Sequence, residues 1–339
     1  MSGAAAGSSS PDRASPESPV RVLFFGSGGF AVPILDALTT IPGVGLEAVV
    51  SAPDRPVGRK AIPTPTPVTA RSRQLGLPVL QPVRLRRPEA IDELRAQAPD
   101  LIVLADYGQL IPRVLLDLPP RGFLNLHPSA LPRHRGAAPI PATILAGDTE
   151  SAVTLIVVTE EMDAGPIVAT EPLAVLPDDT AITLESRAAE AAAHLLRRAL
   201  PEWLAGRIVA RPQSQDGVTM TRPLRREDGR LDPGRSAIEL ERQVRAYQPW
   251  PGAYIENDRT GGERLIVWQA RVADSVPMDL AGRFVSTPDG DLALGTGEGR
   301  LVLELLQRAG GRQMEGREYL RGHADAVQSN PASPRAGMR

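Results

Sequence analysis

One stretch near the start of the chain decides the fold: VRVLFFGSGGFAVPILDAL, residues 20–38. Residues 20–25 are β-branched, aromatic or otherwise apolar apart from Arg21, a composition typical of a strand. Glycines interrupt the chain at 26–29, and apolar residues then recur at helical spacing over 30–38. The stretch predicts a strand, a tight turn and a helix, which is the repeating unit of an α/β fold.

The same alternation continues downstream. Strands are predicted at 46–51, 101–105, 123–126, 153–158 and 167–176, and a helix at 89–97. Asp178-Asp179-Thr180 can cap a long alanine-rich helix that runs to about Leu204, and Gly206 can close it. Strands that alternate with helices favour right-handed crossovers and a mostly parallel sheet covered on both faces. We therefore expect a first domain over residues 20–207.

The pattern changes after residue 207. Residues 208–220 are polar without a clear period and are predicted to be a linker. A helix is predicted at 236–245, followed by short strands at 253–256, 264–270, 282–286, 291–295 and 300–306. Closely spaced strands of this kind suggest a small antiparallel barrel, so we expect a second domain over 221–325. We expect residues 1–19 and 326–339 to be disordered tails.

The composition excludes several classes of protein and of chemistry. The chain has 339 residues, 42% hydrophobic and 23% charged, with a net charge of -2. It has no cysteine, which excludes disulfides, thiolate metal sites and a cysteine nucleophile. We expect no metal site, because the four histidines lack metal-ligand spacing. We also expect no membrane span, and the first nineteen residues do not read as a targeting signal, so we expect a cytoplasmic protein.

The glycine-rich turn Gly26-Ser27-Gly28-Gly29-Phe30-Ala31 fits the pattern G-x-G-x-x-A directly after the first strand. Such a turn can receive the pyrophosphate of a dinucleotide at a helix N-terminus, as in an NAD(P)-dependent oxidoreductase. The second predicted strand does not end in the acidic residue that would bind a ribose, because Asp54 comes later and is followed by Arg55. We therefore favour a turn that binds no dinucleotide.

The densest polar stretch, residues 122–136, leaves the carboxyl end of a predicted strand, where open α/β sheets bind ligands. Asn125 and His127 are two residues apart, so both side chains project from the same face. An amide donor beside an imidazole suits acyl transfer, since the amide can stabilise an oxyanion and the imidazole can move protons. The alternative is that Asn125 caps a turn and His127 is a buried, satisfied side chain. Asp163, in a turn between two strands, would orient His127 if the two meet.

Two further features bear on ligands. Residues 53–67 form a long predicted loop with five prolines and three basic residues, Arg55, Arg59 and Lys60, the last being the only lysine. This loop is either a solvated excursion or a basic finger for a phosphate-bearing partner. Tyr107 and Gly108 follow the strand at 101–105 and, with Asp106, could line the same strand-end cleft. His134 could touch a ligand, but we expect it to have no paired base.

Four motifs carry a family resemblance: Asn125-Leu126-His127-Pro128-Ser129, Leu131-Pro132-Arg133, Arg135-Gly136-Ala137-Ala138-Pro139-Ile140 and Met162-Asp163-Ala164-Gly165. With these motifs, the chain resembles the formyltransferase family that uses 10-formyltetrahydrofolate. The resemblance extends to Pro53-Asp54-Arg55-Pro56 and to Arg245-Ala246-Tyr247-Gln248-Pro249-Trp250-Pro251-Gly252, and so covers nearly the whole chain. It implies a Rossmann-like catalytic domain followed by a C-terminal domain similar to an OB-fold.

The resemblance also implies roles. Asn125, His127 and Asp163 match the family's catalytic residues, and Ser129-Ala130-Leu131-Pro132 matches its tetrahydrofolate-binding stretch, with Ala130 in place of the usual leucine. The donor is expected to be 10-formyltetrahydrofolate, bound as a co-substrate with no tightly bound cofactor. The acceptor is expected to be the methionyl α-amine of initiator methionyl-tRNA. Tyr107 and Gly108 are candidates to contact the folate.

Expected contacts to the tRNA are Arg55, Arg59 and Lys60 in the loop, together with Arg222, Arg225 and Arg226 after the linker. Without the family, the second cluster would be read as a solvated face. Three alternatives stay open: formylation of an amino sugar or another small amine, an oxidoreductase, and an RNA-binding protein with a decayed enzyme domain. We expect a monomer.

Overall fold

The computed structural model describes residues 18–57, 62–257, 263–273 and 281–323. The tails predicted at 1–19 and 326–339 lie outside these residues, apart from Ser18 and Pro19, as do Arg59 and Lys60. The strands up to residue 221 are β1 (Val20–Gly26), β2 (Val44–Val50), β3 (Arg55–Val57), β4 (Ile62–Thr64), β5 (Val79–Leu80), β6 (Leu101–Ala105), β7 (Phe123–His127), β8 (Arg135–Gly136), β9 (Glu150–Val157), β10 (Ile167–Ala174) and β11 (Met220–Thr221). The helices of the same part are α1 (Ala31–Leu38), α2 (Pro67–Gln74), α3 (Pro88–Ala96), α4 (Arg113–Leu116), α5 (Pro139–Ala146) and α6 (Ala181–Leu204).

Seven of these strands form one sheet in the order β10-β9-β7-β6-β1-β2-β5. The pairs from β7 to β5 are parallel, whereas β9 runs antiparallel to both β7 and β10. Side chains of β1 alternate between two apolar clusters: Val22 and Phe24 pack on one face, Leu23 and Phe25 on the other. Burying one such phenylalanine contributes about 1.5–3 kcal/mol. The mostly parallel sheet predicted from the sequence, with both faces covered, is thus confirmed.

Helix α6 begins and ends as its sequence predicts. The Thr180 hydroxyl accepts the main-chain N–H of Thr183, and the Thr183 side chain accepts the main-chain N–H of Thr180. This reciprocal cap satisfies N–H groups that the first turn leaves unpaired. Gly206 follows the helix with φ of 69°, a left-handed conformation that closes it.

The prediction of a long loop over 53–67 is wrong in one respect. Strands β3 and β4 pair in an antiparallel hairpin, with Arg55 opposite Thr64. Helix α2 then starts at Pro67, and its cap is the Thr66 hydroxyl, which accepts the main-chain N–H of Thr69 at 3.0 Å. Proline is well tolerated in the first turn of a helix, because its missing N–H would be unpaired there in any case.

The last part of the chain is an antiparallel domain. It contains a short 3-10 helix (Arg226–Gly229), α7 (Ala237–Ala246), α8 (Gly316–Gly322) and the strands β12 (Ala253–Asn257), β13 (Glu263–Ala273), β14 (Phe284–Ser286), β15 (Leu292–Gly295), β16 (Arg300–Arg308) and β17 (Gln313–Glu315). The sheet order is β12-β13-β16-β15-β14, and β17 pairs with residues 305–307, near the carboxyl end of β16. These strands enclose one apolar core with α7. The predicted antiparallel second domain is confirmed.

The two parts of the molecule touch. Helix α5 packs against α7, and the Arg245 guanidinium donates to the main-chain carbonyl of Asp179 at 2.8 Å. Between them, β11 pairs in parallel with β8, so the segment predicted to be a linker lies against the first domain.

Candidate active site

Strand β7 places the first two candidate residues. Asn125 and His127 are 8% and 4% exposed and lie at its carboxyl end, between β6 and β9. Side chains two residues apart on a strand point to the same face, and both of these reach Asp163. The predicted juxtaposition of Asn125 and His127 at a strand end is what the structure contains.

Asp163 lies in the turn between β9 and β10, where its φ of 51° is left-handed. The Asn125 amide donates to its Oδ1 at 3.2 Å, and the main-chain N–H of Gly136 donates to its Oδ2 at 2.8 Å. Oδ2 also lies 3.5 Å from Nδ1 of His127. The turn therefore brings the Asp163 carboxylate next to Asn125 and His127, which lie 38 and 36 positions earlier in the chain.

His134 supports His127 from the other side. Nε2 of His127 lies 3.0 Å from the main-chain oxygen of His134, whose φ is 58°. The buried His134 ring is 2.8 Å from Oδ2 of Asp148, so the expectation that His134 has no paired base is wrong. Burial would raise the pKa of Asp148, but hydrogen bonds from Arg133 and His134 hold it below its usual value. His134 is thus fixed by a charged partner that sequence spacing did not reveal.

The stretch expected to bind folate follows directly. Ser129 is fully buried: its hydroxyl donates to the Arg133 carbonyl at 2.7 Å, and its own carbonyl accepts the Thr154 hydroxyl at 2.7 Å. Ala130 and Pro132 are half-buried, and Leu131 is 8% exposed. The Ser129 hydroxyl therefore holds the turn, while the partly open residues on either side of Leu131 are the ones available to a ligand.

Tyr107 and Gly108 lie near the same edge of the sheet. The Tyr107 ring packs edge-on against Phe25, with 5.3 Å between ring centroids, and its hydroxyl accepts from the Gln109 amide at 3.3 Å. Burial raises the pKa of Tyr107 to about 12, so the phenol is neutral at working pH. Gly108 is exposed.

The glycine-rich turn faces two carboxylates. A methyl group added at Gly28 would lie 1.8 Å from Oδ2 of Asp106, so the Asp106 side chain would have to move, and one at Gly29 would lie 3.7 Å from Oε1 of Glu185. Asp106 is exposed as a residue, yet surrounding protein displaces water from its carboxylate and raises its pKa; the pKa of Glu185 is raised by the same loss of water and by Asp106. Carboxylates at the place where a pyrophosphate would bind argue against a dinucleotide.

The candidate phosphate contacts differ in availability. Arg55 is exposed on β3. Arg222 is engaged, since its guanidinium donates to both oxygens of Asp228, at 2.8 and 2.6 Å. Arg225 and Arg226 are exposed.

Sequence reasoning missed the part that residues 211–221 play at this site. Thr219 accepts the main-chain N–H of His134 at 2.8 Å, and the Thr221 hydroxyl donates to the Arg135 carbonyl at 3.0 Å. Gln213 is buried beside Asp163. The only signal was indirect, namely a polar segment without a period.

The described residues contain neither a metal-binding cluster nor a membrane-spanning helix. Among them, no three histidine or acidic side chains lie close enough together to bind a metal ion. The helices among these residues include none with the length and apolar character needed to cross a membrane.

Two family models match this chain. Residues 20–200 match the family model described as formyl transferase, and residues 223–324 match the one described as formyl transferase, C-terminal domain. The chain belongs to the formyl transferase family, a class of enzymes.

Within this class its relatives include proteins named methionyl-tRNA formyltransferase. The one from Halorhodospira halophila is 44% identical over 302 residues, covering 89% of this chain and 96% of the relative. The one from Myxococcus xanthus is 41% identical over 313 residues, covering 92% and 97%. A solved N-formyltransferase from Helicobacter canadensis, in complex with folinic acid and dTDP-3-aminofucose, has a TM-score of 0.62 at 14% identity, over 86% of this chain and 100% of that one. At this identity the similarity supports the fold alone.

Proposed function

We propose that the protein transfers the formyl group of 10-formyltetrahydrofolate to the methionine α-amine of initiator methionyl-tRNA. The observation that carries the proposal is the convergence of Asn125 and His127 on the Asp163 carboxylate at the end of β7. The acceptor is inferred from relatives that are about 40% identical over nearly their whole length. The product would be N-formylmethionyl-tRNA for translation initiation.

Two donors are available to an oxyanion. Asn125 uses one amide hydrogen on Asp163 and has a second. In the protonated ring, Nδ1 of His127 also carries a hydrogen, and because Asp163 is 3.5 Å away, farther than in a strong hydrogen bond, this N–H can be shared with a substrate oxygen. When the amine attacks the formyl carbon, a C–N bond forms and negative charge develops on the formyl oxygen, which these donors stabilise.

Asp163 handles the proton. The α-amine has a pKa close to 8, so a useful fraction is neutral when it attacks. The nitrogen becomes cationic on attack and gives its proton to Asp163. As the intermediate collapses, the bond between the formyl carbon and N10 of the folate breaks, and N10 receives a proton through Asp163 and His127. The chain supplies no covalent nucleophile in this scheme.

Binding roles follow from position and exposure. The folate is proposed to lie along Ala130, Leu131 and Pro132, with Tyr107 and Gly108 near its rings and Ser129 shaping the turn. The tRNA is proposed to contact Arg55, Arg59 and Lys60 and, after the linker, Arg225 and Arg226. Arg222 joins that surface only if a phosphate competes with Asp228.

A second candidate is formylation of an amino sugar. The Helicobacter canadensis enzyme, with an amino-sugar nucleotide in its complex, shares the fold over its whole length. The much higher identity to methionyl-tRNA formyltransferases favours the tRNA.

The direct test incubates the purified protein with 10-formyltetrahydrofolate and charged initiator methionyl-tRNA, with an amino-sugar nucleotide as the parallel acceptor. Formylmethionyl-tRNA is expected as the product. Formylation of the sugar alone would favour the second candidate, and no formylation of either acceptor would refute the proposal.

A cytoplasmic location, a monomeric state and domain limits at 20–207, 208–220 and 221–325 stay predictions.

A further inference from the structure

The segment from Arg211 to Thr221 forms main-chain hydrogen bonds with two elements near Asp163. One is β10, which follows the Asp163 turn, and the other is β8, which contains Gly136. Arg211 and Ile167, the first residue of β10, exchange two main-chain hydrogen bonds of 2.7 and 2.8 Å. At the other end, the main-chain N–H of Arg135 donates to the Thr219 carbonyl at 3.0 Å, and β11 pairs with β8. The segment thus spans the distance between the Asp163 turn and Gly136, whose N–H binds Asp163.

Gln213 lies in the middle of this segment and is 8% exposed. Its Nε2 atom donates to two main-chain oxygens, those of Asp163 at 2.7 Å and Gly165 at 2.8 Å. Both amide hydrogens are therefore used on the turn that carries the candidate proton acceptor. Aspartate adopts a left-handed φ more readily than most residues, and these two hydrogen bonds further fix the main chain of the turn in that conformation.

Arg135 fixes which way the Gln213 amide points. The Arg135 side chain is buried, and its Nε and Nη2 donate to Oε1 of Gln213 at 3.0 and 2.8 Å. A guanidinium has only donors, so the amide oxygen must face it and the NH₂ group must face the two carbonyls. The result is a buried chain of hydrogen bonds from Arg135 through Gln213 to the Asp163 turn.

We propose that Gln213 is a positioning residue for Asp163, holding the main chain of its turn so that the carboxylate meets Asn125 and His127. This inference rests on the proposed function, because formyl transfer is its main readout. Gln213 lies between residues 20–200 and 223–324, the two ranges that match the family models, so this proposal assigns a catalytic role to the region between them.

The variant Gln213→Glu separates positioning from simple packing. A glutamate keeps the size of the side chain and still accepts from Arg135, but it loses both donors to the turn. We expect kcat to fall about 100-fold, since misplacement of a reacting group by about 1 Å can cost that much. We expect the KM values for folate and tRNA to change by less than about threefold. The pH dependence of kcat should also move, because a displaced Asp163 interacts differently with His127.

Gln243 offers a matched control. It is 3% exposed, its Nε2 donates to the carbonyls of Asp228 and Arg230 at 2.8 and 2.9 Å, and its Oε1 accepts from Arg235 at 3.3 Å. Gln243→Glu makes the same chemical change in the second domain, so it should lower stability while leaving kcat and its pH dependence unchanged.

Wild-type kcat and an unchanged pH profile in Gln213→Glu would overturn the proposal, as would an equal loss of kcat in Gln243→Glu. If Gln213→Glu does not fold, Gln213→Met removes the donors without adding charge and is judged by the same criteria. If the wild-type protein transfers no formyl group, the proposed function fails. The NMR shifts of the His127 ring, compared between wild type and variant without substrate, then still test the positioning: identical shifts would overturn it.

Discussion

Nε2 of His127 lies 3.0 Å from the main-chain carbonyl oxygen of His134. A carbonyl oxygen can only accept, so this ring nitrogen carries a hydrogen. Nδ1 is then the position at which the ring gains or loses a proton, and it faces Asp163. The backbone of His134 thus directs proton exchange to the side on which Asn125 and Asp163 lie.

The first prediction concerns this ring. His127→Ala should lower kcat by about 10²–10⁴-fold, the usual contribution of a positioned acid or base, and leave tRNA binding nearly intact. Single-turnover rates and filter binding measure the two effects. His194→Ala is the control, because that side chain lies exposed on α6 and should have no effect. Retention of more than a tenth of the wild-type kcat by His127→Ala would refute the assigned role.

The second prediction concerns Gly136. Its φ is 106°, and a methyl group there would lie 2.2 Å from the Thr221 carbonyl. Gly136→Ala should therefore destabilise the protein by about 3 kcal/mol or more and reduce activity. Gly217 lies in the segment that contains Thr221, and it has φ of 76° but open space around it. Gly217→Ala should therefore lower the free energy of unfolding by only about 1 kcal/mol. Urea denaturation measures both, and equal losses of stability would contradict the proposed clash.

The third prediction concerns pH. The pKa of Asp106 is raised, chiefly because surrounding protein displaces water, so its ionisation lowers stability as the pH rises through the folded-state pKa. Asp106→Asn should thus be more stable than wild type at pH 7, and the difference should shrink toward pH 4. Asp100 is the opposite case, because hydrogen bonds from Arg21 lower its pKa. Asp100→Asn should be less stable at pH 7, with the gap closing only at lower pH. Denaturation curves across this range that give both variants the same sign would contradict the assignment.

The fourth prediction concerns salt. Replacing Arg55 and Arg59 with alanine should weaken tRNA binding and reduce the slope of log affinity against log salt by about one per lost phosphate contact. Arg113→Ala is the control, because Arg113 is already paired with Asp117 and Glu160. If the double variant kept the wild-type slope, the β3–β4 hairpin would not contact phosphate.

Local periodicity was enough to predict most of the fold. Strand β6 has the predicted bounds, and α6 has the predicted cap at Thr180, because alternating or helical burial and capping are local properties. The β3–β4 hairpin and α2 were missed because their many prolines resemble those of a loop. Strands β8 and β11 were missed because two-residue strands carry no period.

The site was predictable in part. The spacing of Asn125 and His127 places them on one face and leaves Asp163 as a candidate partner, but only the family resemblance indicates that Asp163 meets them, since spacing does not reveal which turn folds over a strand end. The contacts of Gln213 with Arg135 and Asp163 join residues 78 and 50 positions apart. Long-range polar pairing of this kind leaves no periodic trace in a sequence.

The pairing of β11 with β8 affects how the enzyme can be dissected. A fragment ending at residue 207 would contain Asn125, His127 and Asp163, yet it would lack Gln213, Thr219 and Thr221, which hold the backbone around them. A fragment that ends at residue 207 should therefore be inactive even if it stays folded. We expect an active fragment of this enzyme to extend at least through Thr221, the last residue of β11.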